Sequence, residues 1–219
     1  MSKQAIPDIK DPTPSEVSSF LNMEIISDSE LTETLQFIFP LVEKPKLQIS
    51  LLMSIKSAGS SISSPEREKL LEKIKGTAID LDVFEGFNQE SWEKNETIVL
   101  VGEAMTLHFF RDFPGIVVAH FAPRSSLSIE EVEEEGLNTL NILAMARTDL
   151  RKLKKLVTLE RVSLPEKIIG FKTNLRMLNA LKRLGISREV LQVPSKDNPA
   201  SSDIMPIINT QELLNSKIG

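Results

Sequence analysis

Between Thr97 and Val157 two apolar, β-branched runs lead straight into a long amphipathic pattern, so this block must fold as a β-hairpin feeding a helix. Thr97-Ile98-Val99-Leu100-Val101 is the first run. After Gly102-Glu103 the chain continues from Ala104 to Arg111, and a last run extends from Ile116 to Phe121. Side chains of this type fit a pleated, buried surface. Pro114-Gly115 suits the centre of a type II turn, because proline presets φ near −65° and glycine accepts positive φ. Pro123, lacking an N–H, ends the strand. Ser128-Ile129-Glu130-Glu131 then reads as a capping box, with Glu133, Glu134 and Glu135 close behind at the positive end of the helix dipole. An apolar face runs through Val132, Leu137, Leu140, Leu143 and Leu150. Arg147, Arg151, Lys152, Lys154 and Lys155 crowd the far end, where the dipole favours cations.

Further elements flank this block. Pro14-Ser15-Glu16 opens a short helix bearing Val17, Phe20 and Leu21. Ser27-Asp28-Ser29-Glu30 caps a second helix that Pro40 stops. Lys46 to Lys56 alternates apolar and small polar residues as a half-buried strand does, and a Ser/Gly loop leads to a helix begun by Ser64-Pro65. Thr77 to Phe84 alternates again. Thr173 to Leu184 places Leu175, Leu178, Leu181 and Leu184 on one stripe, with Gly185 as terminator. The expected fold is therefore α+β. An antiparallel sheet is built from about 46–56, 77–84, 97–111 and 116–122, with helices near 28–38, 65–75 and 128–157 packed on one face and a C-terminal basic helical region beyond. The corresponding organisation is a disordered N-terminal arm (1–14), an α+β core domain (15–160), a basic helical extension (161–193) and a flexible C-terminal tail (194–219).

Composition narrows the chemistry. With no cysteine in 219 residues, disulfides, thiol catalysis and cysteine-rich zinc sites are excluded. No run approaches the ~20 apolar residues of a membrane span, and the N-terminus lacks a signal-peptide core, so a cytoplasmic or nuclear, non-secreted protein is expected.

Motifs for catalysis are sparse, and no enzyme activity is expected. His108 and His120 stand one on each hairpin strand. A loop with an even number of residues puts them on opposite faces, and a three-residue loop reverses that. Asp80 and Asp82, two apart on a strand, share a face and with Glu103 could hold a divalent cation, but the same pattern describes the solvent side of an amphipathic strand. Gly59-Ser60-Ser61 lacks the lysine of a phosphate-binding loop, and no Gly-x-Ser-x-Gly elbow exists. No cofactor and no metal is assigned.

Charge distribution is the informative feature. The net charge of −5 hides a split: residues 147–189 carry twelve lysines and arginines against four acids, whereas residues 1–146 carry twelve against 24. Sign asymmetry of this kind points to an anionic partner for the basic part. The candidate anion- or nucleic-acid-binding residues are Arg151, Lys152, Lys154, Lys155, Lys172, Arg176, Lys182, Arg183 and Arg188, on two helices whose other faces are leucine-rich. Phe171 is the region's one aromatic residue and the chain has no tyrosine, so base stacking is weakly supported.

The order of a long strand at 46–56, a Ser-rich loop, a helix and further strands to about 122 is loosely similar to the matrix proteins of rhabdoviruses, although the basic N-terminal arm and the proline–tyrosine motif of those proteins are missing. That resemblance implies a viral structural or accessory protein. Together these features give two expectations. The first is a non-enzymatic structural or adaptor protein that binds another protein or itself. The alternative binds RNA, DNA or an anionic membrane surface through the basic helices.

Overall fold

Among the described residues, eight strands form one mixed sheet. The computed structural model describes residues 14–43, 63, 65–66, 68–69, 78–80, 97–121, 139–159, 164–171, 173–195 and 202–218. In chain order the elements are α1 (Pro14–Leu21), β1 (Glu24–Ile26), α2 (Ser29–Glu43), β2 (Ala78–Asp80), β3 (Thr97–Val101), β4 (Met105–Phe110), β5 (Phe113–Phe121), α3 (Thr139–Leu159), β6 (Lys167–Gly170), α4 (Leu175–Arg183), β7 (Ser187–Pro194), β8 (Ser202–Asn209) and α5 (Thr210–Asn215). Across the sheet the strands lie in the order β1-β7-β8-β6-β5-β4-β3-β2.

The α+β class holds, but the purely antiparallel sheet with helices on one face does not. Strand pairs β1–β7, β2–β3 and β5–β6 are parallel, while β3–β4, β4–β5, β6–β8 and β7–β8 are antiparallel. The reason is connectivity. A strand–helix–strand crossover brings the chain back in its starting direction. Helix α3 links β5 to the parallel β6 in this way, and α4 carries the chain from β6 to β7 with one strand's width left between them. Strand β8 fills that gap, antiparallel to both neighbours. Residues expected as a basic extension and a flexible tail thus supply three strands of the sheet. The apolar run Met205–Ile208 is buried mid-sheet, with Met205 and Ile208 fully covered.

Helices cover both faces. On one, α3, α4 and α5 bury Leu143, Ala146, Leu150, Leu153, Met177, Leu181 and Leu213 against Ile98, Leu100, Leu107, Ala119, Ile168 and Ile208. Helix α1 joins the same side, packing Val17 and Leu21 with Leu178 and Val190. On the other face, α2 lays Leu35, Ile38, Phe39 and Val42 over Val118, Ile169, Leu191, Val193, Met205 and Ile207. Each leucine, isoleucine, valine, methionine or phenylalanine among them contributes about 1.5–3 kcal/mol on burial. Pro40 does not stop α2, which continues to Glu43 with Val42 buried beyond it. Tertiary burial outweighs the hydrogen bond that proline removes. The cap of α2 is Asp28 rather than Ser27: its carboxylate accepts the Leu31 N–H at 2.9 Å.

The hairpin also turns elsewhere than Pro114-Gly115. Phe110 pairs with Phe113 across Arg111-Asp112, whereas Phe109 pairs with Val117, so Pro114, Gly115 and Ile116 are extra residues in a bulge of β5. The expected strand 46–56, the capping box at 128–131 and the helix body at 70–75 lie outside the described residues.

Candidate polyanion-binding surface

Helices α3 and α4 carry the surface, and their inner faces dictate their outer ones. In α3 the buried stripe is Leu143, Ala146, Leu150 and Leu153, and it leaves Arg151, Lys154 and Lys155 exposed with Lys152 half-buried. In α4 the buried residues are Met177, Leu178 and Leu181, leaving Arg176 and Arg183 exposed and Lys182 half-buried. Both ends of α4 are well fixed. Asn174 accepts the Met177 N–H at 2.9 Å, and Gly185 with φ of 69° closes a Schellman motif. In that motif the Gly185 N–H donates to Lys182 O and the Ile186 N–H to Leu181 O, both at 2.9 Å.

The two helices touch each other on one side of the sheet, so their bases belong to one surface. Together they hold eight lysines and arginines and a single acid, Asp149. That acid is 0% exposed and turned inward. The outer faces are therefore uniformly positive. Arg151, Lys155, Lys182, Arg183 and Arg188 make no ion pair among the described residues. Arg188 is exposed on β7, outside the two helices, and Lys172 lies outside the described residues.

Two residues of α3 are structural. Arg147 donates from Nη1 to Ser216 O at 2.5 Å and from Nη2 to Ile218 O at 2.6 Å, clamping the segment after α5. Asp149 was counted in sequence only as a minority acid in a basic stretch. Its carboxylate accepts the backbone N–H groups of Glu103 (3.0 Å), Ala104 (2.9 Å) and Met105 (3.1 Å), bracing the β3–β4 turn. Burial pushes its carboxyl above the usual range, against the pull of these donors and of the Lys152 charge. Its signal was available: position 149 falls three residues after Ala146, on the apolar stripe.

The other candidates resolve differently. The β5 bulge shifts the register by an odd number, so His108 and His120 share one sheet face with ring centroids 5.3 Å apart. His108 is 1% exposed, and neither ring nitrogen has a hydrogen-bond partner among the described residues. His120 lies against Phe171 at 4.6 Å. Among the described residues no three His, Cys, Asp or Glu side chains gather as a metal site. Asp80 pairs with Val101 in β2, Glu103 sits in the braced turn, and Asp82 lies outside the described residues.

No helix among the described residues is long and apolar enough to cross a membrane. Comparison of the chain with family models, curated proteins and solved structures found no match.

Proposed function

We propose that this is a non-enzymatic nucleic-acid-binding protein that grips the phosphate backbone with the outer faces of α3 and α4. One observation carries the reading: two touching helices present seven bases, Arg147 being held by the chain after α5, and their single acid is sequestered beneath them. Phosphate neutralisation with counterion release needs only such a field, with no pocket. Neither helix contains an aromatic residue, which favours backbone contact over stacking on bases. It also favours nucleic acid over a membrane surface, where interfacial helices bring aromatic anchors.

Binding of labelled mixed-sequence duplex DNA and RNA at low salt tests the reading. Wild type is compared with Arg151→Glu/Lys155→Glu/Lys182→Glu/Arg183→Glu. Loss of affinity by about 100-fold or more in the variant is expected, with little preference between sequences. Equal binding by the two proteins, or none by either, contradicts it.

A further inference from the structure

We infer that the sheet edge formed by β1 and the N-terminal half of α2 is the docking site for the basic face of α3 and α4 of a second copy of this chain. Residues 14–43 contain six acids and no lysine or arginine. Within this segment β1 is the outermost strand, paired among the described residues with β7 alone, and α2 crosses the sheet face opposite α3 and α4. The edge is more than an acidic cluster. Its outer backbone C=O groups have no ladder partner among the described residues and can accept from lysine and arginine side chains. Beside it Ile25 on β1 is 37% exposed. A cleft of about 510 Å³ runs between strand and helix, lined among others by Ile25, Asp28, Thr32, Glu33 and Gln36.

The occupant follows from charge. Glu30 and Glu33 share the outer face of α2 with Phe37, and the same molecule carries the opposite sign elsewhere, on α3 and α4, with Leu175 38% exposed among the bases. Negative edge and positive face are different surfaces of one chain. The contact is therefore heterologous, head to tail, and each addition leaves one of each surface free. This inference shares the basic face with the proposed nucleic-acid site, so nucleic acid competes with assembly.

Sedimentation velocity on the full chain at about 50 and 300 mM salt, over a range of concentrations, provides the test. The expected result is a weight-average mass that rises with concentration at low salt and returns to monomer at high salt. Glu30→Lys/Glu33→Lys and Lys155→Glu/Arg183→Glu are each expected to be monomeric alone. Mixed in equal amounts they are expected to reassociate, since each then meets the opposite charge. Monomer at every concentration, or assembly that survives in both variants, overturns the inference. The Glu30→Lys/Glu33→Lys protein retains α3 and α4, so its duplex binding separates failure of this inference from failure of the nucleic-acid reading.

Discussion

Asp149 shows how one side chain fixes two elements. It spends a buried carboxylate on three backbone donors of the β3–β4 turn, and Gly102 leaves the room for it: a Cβ there would sit 2.3 Å from Asp149 Cγ. Asp149→Ala orphans three N–H groups and is expected to destabilise by about 3 kcal/mol, read from denaturant midpoints. Gly102→Ala is expected to cost about 2 kcal/mol or more through the clash. His108 makes a different residue-scale prediction. Burial first, and then the charge of His120, hold its pKa at about 3 against an ordinary 6.5. The folded state therefore binds fewer protons than the unfolded chain between those values. Its stability is whole above about pH 6.5 and falls as the pH drops, by up to about 1.4 kcal/mol per unit. Urea melts at descending pH check this, and His108→Phe is expected to flatten that slope; an unchanged slope places the titration elsewhere.

Among elements, the C-terminal end of α4 was the most legible in sequence, because Gly185 must follow the last helical turn and does so at positive φ, whereas the Asn174 cap at its start was not read. Gly185→Ala is expected to destabilise by about 1 kcal/mol in thermal melts. The hairpin strands were legible too, from their β-branched runs, but their register was not. A bulge of three residues is a tertiary solution to packing Phe109, Phe110 and Val117, and it leaves no local pattern that separates it from a Pro-Gly turn. Strand β8 was hidden for a related reason. Its apolar core is short, flanked by polar residues and interrupted by Pro206, which signals a loop or an edge. Gly170 makes the central placement workable, since a Cβ on it would lie 2.8 Å from Pro206 Cγ. Because β8 joins β6 to β7, removal of residues 202–219 is expected to abolish cooperative unfolding rather than trim a tail. Retention of a sharp thermal transition contradicts that.

At the scale of the whole molecule, the charge split in the sequence survives folding and becomes spatial. Residues 14–43, whose charged side chains are all acidic, supply the edge strand β1 and helices α1 and α2, and α3 and α4 form a basic face. The face was readable because the leucine spacing of each helix also fixes where its lysines and arginines point. That the two helices would touch on one side of the sheet was not readable, since it depends on both serving as crossovers in a mixed sheet. The central claim is that this face neutralises phosphates, and the salt dependence of duplex binding measures it most directly. With about four phosphates contacted, log affinity against log salt is expected to fall with a slope of about −3.6, and the slope is expected to collapse toward zero in Arg151→Glu/Lys155→Glu/Lys182→Glu/Arg183→Glu. Binding with a flat salt profile, or a steep slope that the four reversals leave unchanged, contradicts the claim.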